Sequence, residues 1–453
     1  MARKFKTVDY EEALEMTVKV RDVLAPDHLV HFVVFVIAQL DLKAIYQKYA
    51  PLGAPPYEPE ILLGLLFYGY ATGAFSSRQI EKKTKESIPF RFIAGGLEPD
   101  HSTIADFRKD NLAEIKELFV QILVVATELG MLELGNISLD GTKIHADASK
   151  SKAISYKRLL KLESQLQAEV EELFTLALKA ESETMPEAMV IEDEVALRQE
   201  RLIQLAKAKA VLEARAEARY EVEKAEYEAK LRQREAKEKA RGRKLGGRKP
   251  KPPSPGARDK DQYNFTDPDS PIMKNSNNQG FDQHYNVQVA VAQSNILIMG
   301  NHLSDQANDK QQAVPTLQAI PTAQIGQPEA AALDNGYFSQ ANIEAFEARG
   351  VEPYIATGRE SHHRSWQEFF AQQGHPPAED ASPKEKMAYK LQTQIGQTVY
   401  RLRKSTVEPV IGIIKEVLGF RQFSLRGLVK AGGEWNLVCL AFNLKRMHTL
   451  SYT

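Results

Sequence analysis

The chain has 453 residues, of which 43% are hydrophobic and 26% charged, with 59 Lys and Arg against 60 Asp and Glu. This length and apolar content predict two or three folded domains and exclude wholesale disorder. The single cysteine, Cys439, excludes a disulfide framework and a cysteine-based zinc cluster, and favours a reducing compartment. Because we find neither a secretory leader nor an apolar stretch long enough to span a bilayer, we expect a soluble cytoplasmic protein.

The charges are segregated along the chain, although the formal net charge is only −1. Residues 1–130 carry 15 basic and 18 acidic side chains, whereas residues 241–260 carry eight basic and one acidic. Residues 401–453 carry nine basic and three acidic. Counterion release depends on local positive charge, so the near-neutral total still permits binding to the phosphates of nucleic acids.

Residues 1–130 have a helical pattern. Leu and aromatic residues recur at helical spacing over Ile61–Tyr70, after a glutamate- and proline-containing start. Ser102 is expected to cap a helix that begins at Thr103. The next helical run is expected to end at Leu129-Gly130.

Strand character begins after this region and is then interrupted. Asn136–Asp140 is predicted to be a short strand that ends at its aspartate, with Lys143–Ala146 as the returning strand. From Ser149 to about Ala240 the sequence becomes charged and helical, which predicts an antiparallel hairpin turning near Ser182–Pro186. The Gly-, Pro- and Lys/Arg-rich stretch 241–260 is predicted to be a flexible basic loop.

Alternating strand and helix signals resume beyond the basic loop. The predicted strands are His284–Val291, Asn295–Gly300, Ala330–Leu333 and Tyr354–Ala356. The predicted helices cover Gln311–Ile320, Gln340–Ala348 and about Lys404 to Leu418. This order predicts an α/β fold with one mixed sheet, an all-α N-terminal region and a long helical insertion.

Two aspartates follow predicted strands. Asp140 precedes Gly-Thr, and Asp334 precedes Asn-Gly. Where neighbouring strands are parallel, their carboxyl ends meet at one edge of the sheet, where two aspartates can converge on a cation. An aspartate after a strand is, taken alone, more typical of a turn or a helix cap.

A third carboxylate, Glu408, precedes Pro409, which places it in the first turn of a predicted helix. Lys415 is expected on nearly the same helix face, about 10 Å along the axis. Asp140, Asp334 and Glu408 together offer only oxygen ligands, which suit Mg²⁺ or Mn²⁺ and disfavour zinc. Two such ions about 4 Å apart can activate a nucleophile and stabilise the leaving oxygen of a phosphodiester, which predicts phosphoryl transfer on nucleic acid.

Several segments resemble the insertion-sequence transposases of bacteria that carry a DDE catalytic domain. They occur in matching order between about residues 55 and 450. These segments are YEPEILLGLLFYGYATGAFSSRQIE (57–81), PDHSTIADFR (99–108), ISLDGTKIHADASK (137–150), NFTDPDSPIMK (264–274), HYNVQVAV (284–291), LDNGY (333–337) and RKSTVEPVIGIIKE (403–416).

The resemblance implies a helical N-terminal domain over 1–130 for DNA-end binding or assembly. It also implies an RNase H-like catalytic domain over 131–453 with a helical insertion at 150–262. The family's metal-binding triad matches Asp140, Asp334 and Glu408. The implied activity is recognition of terminal inverted repeats, Mg²⁺- or Mn²⁺-dependent cleavage exposing a 3′-hydroxyl, and joining to target DNA. The implied partners are these DNAs and a second copy of the chain in the active complex, so the protein would be nucleoid-associated when bound.

The family's glutamate motif runs Tyr, two residues, Arg, three residues, Glu, six residues, Lys. Glu408 and Lys415 keep that spacing, whereas Arg401 and Lys404 occupy the Tyr and Arg positions, with Tyr400 one residue out of register. Arg401, Lys404 and Lys415 are therefore candidate phosphate contacts. The basic loop adds four further candidates for binding DNA: Arg243, Lys244, Arg248 and Lys249.

Two alternatives stay open at this point. The chain could be a catalytically silent DNA-binding or scaffold protein on the same fold, with the helical insertion mediating self-association. It could also be an RNase H-like nuclease that cuts DNA without joining it. Metal-dependent nicking of an end fragment distinguishes a transposase from the silent scaffold. Joining of a pre-cut 3′ end distinguishes it from the nuclease.

Overall fold

The computed structural model describes residues 20–49, 55–180, 191–275, 280–358, 376–378 and 380–452. In the N-terminal region it contains helices only, as the sequence predicts. These helices are α1 Val20–Val23, α2 Leu29–Ile37, α3 Lys43–Tyr46, α4 Pro59–Ala71, α5 Ser77–Glu86, α6 Ile88–Ile93, α7 His101–Asp110 and α8 Leu112–Glu128. Helix α8 ends just before Leu129-Gly130, as expected.

The N-terminal cap of α7 differs from the prediction. Asp100, rather than Ser102, caps this helix, and its Oδ1 accepts a hydrogen bond from the amide of Thr103 at 2.8 Å. The helix therefore begins at His101. An aspartate at the N-cap satisfies an unpaired amide and also places negative charge at the positive end of the helix dipole, so it serves better than a serine two positions later.

A mixed sheet lies at the centre of the remaining chain. Among the described residues it has six strands, in the order β4-β5-β1-β7-β8, with β6 also pairing with β5. Strands β1, β7 and β8 run parallel to one another, and β5 is antiparallel to its neighbours. The strands are β1 Asn136–His145, β4 Ile272–Lys274, β5 Phe281–Ala292, β6 Ile298–Ser304, β7 Ala330–Leu333 and β8 Glu352–Ile355; β2 Ala153–Ser155 and β3 Gln262–Asn264 pair separately.

The prediction of two short strands around Asp140 is wrong, because β1 is one continuous strand that pairs with β5 along its length. Gly141 lies opposite Gln288 within this ladder. A Cβ atom at position 141 would lie 2.1 Å from Nε2 of Gln288. The glycine therefore permits a side chain of β5 to cross the strand closely, and does not form a turn.

The predicted helical hairpin is confirmed for the described residues. Helix α9 spans Tyr156–Ala180, and α10 spans Ile191–Arg241. They run antiparallel, since Lys209 pairs with Glu163 at 2.8 Å and Arg198 with Glu169 at 2.8 Å. The predicted turn at Ser182–Pro186 lies outside the described residues. At 51 residues, α10 is about 76 Å long and continues well past the start of α9.

Shorter helices connect the later strands, and two long helices follow them. The helices are α11 Ala313–Gln318, α12 Thr322–Ile325, α13 Gln340–Glu347, α14 Pro383–Gln392, α15 Gln394–Gly412 and α16 Leu428–Leu450. One apolar core joins α2, α4, α8, the sheet and α16, and Trp435 on α16 is among its largest side chains. None of the helices that the structure describes has the length and apolarity needed to cross a membrane.

Helix α15 differs from the prediction in its start. It begins at Gln394, so Glu408 lies near its C-terminal end and not in its first turn. Pro409 lies inside the helix, where a proline removes one backbone hydrogen bond and its ring crowds the carbonyl group of Ser405. A π-helical turn over Ile413–Val417 follows directly and contains Lys415. Lys415 is therefore not on the regular α-helical extension of the Glu408 face.

Candidate active site

Asp140 and Asp334 lie side by side where the parallel strands β1 and β7 separate. The strand register pairs Leu139 with Leu333, so Asp140 is the next residue of β1 and Asp334 is the first residue after the end of β7. Asp334 also caps a short 3-10 helix over Asn335–Tyr337, with Oδ1 accepting from a backbone amide at 2.8 Å. Asp334 therefore caps a helix, and the strand register also places it next to Asp140.

Helix α15 packs across the face of β1 that carries Asp140. Because side chains alternate along a strand, Ser138, Asp140 and Thr142 point to the same side. Each of them contacts a side chain from the segment that begins with α15. The contacts are Thr406 Oγ1 to Ser138 Oγ at 2.8 Å, Arg403 Nη1 to Asp140 Oδ2 at 3.0 Å, and Lys415 Nζ to Thr142 Oγ1 at 3.1 Å. These contacts fix the helix relative to the two aspartates.

Glu408 reaches this cluster through Arg403. The Nη2 of Arg403 lies 3.4 Å from Oε1 of Glu408, while its Nη1 bonds Asp140. The Arg403 side chain is only 8% exposed, whereas that of Glu408 is 51% exposed. One buried guanidinium therefore bridges two of the three predicted carboxylates, and the third, Asp334, adjoins Asp140.

Arg403 is the member of this side-chain cluster that the sequence pattern did not predict. The family motif places its arginine four residues before the glutamate, which is the position of Lys404. Tyr400 and Arg403 keep the two-residue spacing of the motif but stand one residue farther from Glu408, and the Arg403 guanidinium lies 5.9 Å from the Tyr400 ring centre. The retained spacing between these two residues is the signal that identifies them as a pair shifted by one position.

The electrostatics of the site centre on Asp140. Burial above all, together with the charges of Asp334 and Asp309, raises the pKa of Asp140 to about 6, although the Arg403 guanidinium acts in the opposite direction. A carboxylate whose charge is costly to bury and is repelled by like charges attracts a cation. In the described structure Arg403 supplies the nearest positive charge.

A polar network supports the strands beside Asp140. The amide of Gln288 on β5 donates to Asp309 Oδ1 at 2.8 Å, and Asn286 donates to the same oxygen at 2.8 Å. The Tyr337 hydroxyl donates to Oε1 of Gln288. Asp309 itself lies at the start of a 3-10 helix over Asp309–Gln311. Its contact with β5 depends on strand pairing and has no local sequence signal.

The other predicted contacts on this segment occupy different environments. Arg401 and Lys404 lie on the exposed side of α15. Lys415 is half-buried against β1, where Nζ also lies 3.4 Å from the carbonyl oxygen of Lys143, and burial lowers its pKa. Lys415 thus contacts β1 two residues beyond Asp140, on the same face of the strand, whereas Arg401 and Lys404 face outward.

The basic loop after α10 is anchored on that helix. Arg234 donates to the carbonyl oxygen of Leu245 at 2.6 Å, and Arg258 pairs with Glu223 at 2.8 Å. The four side chains predicted to bind DNA are exposed on this loop: Arg243, Lys244, Arg248 and Lys249. The loop therefore presents positive charge from a supported position, rather than from an unattached linker.

Two family matches agree with this arrangement. Residues 19–110 match the family described as Transposase domain (DUF772), and residues 376–448 match the Transposase DDE domain. The second match contains Arg403, Glu408 and Lys415. No curated protein and no solved structure matches the chain.

The two matched segments contribute different elements to the fold. The matched DDE segment supplies α15 and the charged side chains that pack on β1, and the matched N-terminal segment supplies the helices that share a core with α16. Both families are transposase families. A transposase domain over residues 19–110 and a transposase DDE domain over residues 376–448 together support a DNA transposase of the insertion-sequence DDE kind.

Proposed function

We propose that this transposase carries out divalent-metal-dependent phosphoryl transfer at the ends of its element, through Asp140, Asp334 and Glu408. It cleaves DNA to expose a 3′-hydroxyl and joins that end to target DNA. The observation that carries the proposal is the β1–β7 register, which makes Asp140 and Asp334 neighbours. Helix α15 adds Glu408 to the same cluster through Arg403.

The sheet topology supports an RNase H-like catalytic domain. Without the short β4, the spatial order is β6-β5-β1-β7-β8, with β5 antiparallel and β1, β7 and β8 parallel. This mixed order, with the antiparallel β5 between β6 and β1, supports the RNase H-like fold that the family resemblance implies. We accordingly propose a helical domain over 1–130 and a catalytic domain over 131–453, interrupted by the insertion at 150–262.

The donor chemistry of the three carboxylates fits Mg²⁺ or Mn²⁺. All the donors are oxygens, and a cation stabilises the charged form of the partly buried Asp140, which lies near other acidic groups. In the part of the chain that the structure describes, no three acidic, His or Cys side chains are close enough to hold an ion, and Arg403 stands between Asp140 and Glu408. When bound, a pair of such ions would activate the attacking oxygen and stabilise the leaving oxygen.

The chain's own residues supply orientation and charge. Asp140 is held on β1 and Asp334 directly after the adjacent β7, and the polar network of Gln288, Asp309 and Tyr337 fixes the strand that pairs with β1. Lys415 lies beside Thr142, two residues along β1 from Asp140, and its ammonium group would favour a phosphate at this edge. A rigid sheet edge of this kind positions a phosphodiester more precisely than a loop does.

The DNA-binding surface that we propose has two parts. Arg401 and Lys404 lie on the exposed side of α15, next to the carboxylates. A remote part is formed by Arg243, Lys244, Arg248 and Lys249, carried outward by α10 and its anchored loop. Positive charge in both parts favours a long duplex such as a transposon end. We further propose that two copies of the chain form the active complex.

The test is cleavage of a labelled duplex that carries the terminal inverted repeat, in Mg²⁺. We expect Asp140→Asn, Asp334→Asn and Glu408→Gln each to lower the cleavage rate at least a thousandfold and to leave DNA binding measurable. Asp305→Asn, in an exposed loop near β6, is the matched control and should cleave at the wild-type rate.

Two outcomes would change the proposal. If Asp334→Asn cleaved as fast as the wild type, the carboxylate assignment would be wrong. If the wild type bound the duplex without Mg²⁺-dependent nicking, a scaffold role would be favoured. A pre-cut 3′ end tests the remaining alternative, since a transposase joins it to a target plasmid and a simple nuclease does not.

A further inference from the structure

Arg403 occupies the place between Asp140 and Glu408 that a shared metal ion would need. Its Nη1 lies 3.0 Å from Asp140 Oδ2, and its Nη2 lies 3.4 Å from Glu408 Oε1. Both of these oxygens belong to the carboxylates proposed as metal ligands. Mg²⁺ binds oxygens at about 2.1 Å, so an ion on these atoms and the guanidinium cannot use the same lone pairs at once.

In the metal-free protein, the positive charge of Arg403 is paired with the negative charges of the neighbouring carboxylates. The side chain is 8% exposed, and a buried guanidinium is stable only when it is paired. Without Arg403, Asp140 would face the like charges of Asp334 and Asp309 without the cation that lowers its pKa. The arginine therefore performs, in the metal-free protein, the neutralising role that a divalent ion would perform.

Arg403 is nevertheless not fully satisfied in this position. Its Nε is buried and has no hydrogen-bond partner among the described residues. Arg401 and Lys404 beside it lie on the exposed side of the same helix, in the segment matched to the DDE domain. A phosphate near this basic helix would offer the guanidinium a bidentate partner, which the split contact to two carboxylates does not.

We propose that Arg403 is an internal counter-cation that holds Asp140 and Glu408 together in the metal-free transposase and moves to a DNA phosphate when DNA binds. Its departure frees both carboxylates for a divalent ion. Metal loading is thereby coupled to DNA binding, so that the metal site forms where a substrate is present. This inference rests on the proposed function of the three carboxylates.

The test measures Mn²⁺ binding to the full-length protein by electron paramagnetic resonance, without DNA. We expect Arg403→Gln to bind Mn²⁺ at least tenfold more tightly than the wild type, because the competing cation is removed. Arg349→Gln makes the same charge change at an exposed residue after α13, outside the carboxylate cluster, and should leave the affinity within about twofold. Asp140→Asn combined with Arg403→Gln should abolish the gain.

A second experiment repeats the Mn²⁺ titration in the presence of a duplex that carries the terminal inverted repeat. The Mn²⁺ that binds to the DNA alone is measured separately and subtracted. The wild type should gain at least tenfold in affinity, and Arg403→Gln should gain less than threefold. If Arg403→Gln does not fold, as judged by its thermal unfolding transition, Arg403→Lys replaces it. One ammonium group cannot bond both carboxylates in the same geometry, so this variant should gain severalfold without DNA.

The outcomes separate this inference from the proposed function. Should the folded Arg403 variant bind Mn²⁺ no more tightly than the wild type without DNA, the counter-cation role is overturned. If the wild type with DNA still binds Mn²⁺ in a manner that Asp140→Asn abolishes, the metal site itself survives that result. If Asp140→Asn leaves Mn²⁺ binding unchanged in the presence of DNA, the proposed metal site fails, and the coupling fails with it.

Discussion

The guanidinium of Arg108 lies 3.6 Å from the carboxylate of Glu434, and both side chains are almost completely buried. Tyr70 donates to the same carboxylate at 3.0 Å, and the amides of Ser424 and Leu425 donate to it at 2.8 and 3.0 Å. Tyr70 and Arg108 belong to the matched N-terminal transposase domain, and Glu434 belongs to the matched DDE domain. This buried cluster therefore joins the two.

Glu434→Gln is expected to destabilise the protein by about 3–5 kcal/mol, because it leaves the buried charge of Arg108 without its partner. The free energy of unfolding from urea titration measures the effect. Glu416→Gln is the control, since Glu416 forms an exposed pair with Arg421 and should cost less than about 1 kcal/mol. Equal losses in the two variants would contradict a role for the buried cluster in joining the domains.

Gly141→Ala is expected to lower both stability and the rate of end cleavage. The added Cβ would lie 2.1 Å from Gln288 Nε2, and hydrogen bonds to Asp309 and Tyr337 prevent that side chain from moving away freely. Overpacking of this kind costs about 1–3 kcal/mol, and here it displaces the strand that carries Asp140.

Two further variants test the cause of that loss. Gly135→Ala is the matched control, because a Cβ at this position meets no atom within 4 Å. The double variant Gly141→Ala with Gln288→Ala should recover part of the stability, as measured by thermal unfolding, since the clashing side chain is absent. A double variant with the summed loss of the two single variants would show that the clash is not the cause.

The stability of the protein should fall in mild acid because of His284. Burial lowers the pKa of this histidine from 6.5 to about 4, while its ring stacks 4.2 Å from that of His145. Between about pH 6.5 and pH 4 the unfolded chain therefore binds more protons than the folded one, so the free energy of unfolding decreases as the pH falls through this window.

His284→Gln should remove that component, which amounts to roughly 3 kcal/mol over the whole window. Urea unfolding of the wild type and the variant at pH 7.5 and pH 4.5 measures it. The wild type should lose more stability than His284→Gln between the two pH values. A parallel loss in both proteins would assign the acid sensitivity to other groups.

Neutralising the basic loop should weaken DNA binding without altering the chemistry of the bound end. We expect a smaller slope of log Kd against log salt concentration when Ala replaces Arg243, Lys244, Arg248 and Lys249. The slope should fall by about one for each phosphate that the loop no longer neutralises. Fluorescence anisotropy at several salt concentrations measures this slope. The cleavage rate at saturating DNA should remain within about threefold of the wild type, because the loop is not part of the carboxylate cluster.

The charge-retaining variant Arg243→Lys with Arg248→Lys is the control for the loop. It should keep most of the salt dependence, since a lysine still displaces a counterion. An unchanged slope in the four-alanine variant would show that the loop does not contact DNA.

Much of the local structure was accessible from the sequence. The strand predicted over Ala330–Leu333 has those bounds, and the helix predicted over Gln340–Ala348 differs by one residue at its end. Hydrophobic periodicity, turn residues and helix caps are local signals that span a few positions. They can therefore be recognised in a single sequence. The same local signals failed at Gly141, where a glycine before a polar run resembles a turn but lies within a strand.

The sequence by itself thus determined the alternation of elements, the helical insertion and the three acidic positions that a resemblance could match. Only the tertiary structure decided that Asp140 adjoins Asp334, that Arg403 rather than Lys404 faces the carboxylates, and that Gln288 crosses Gly141. These relationships depend on strand register and on the rotation of α15 about its axis. Both are set by packing between residues far apart in the chain, and a shift of one position turns a side chain from the site towards solvent.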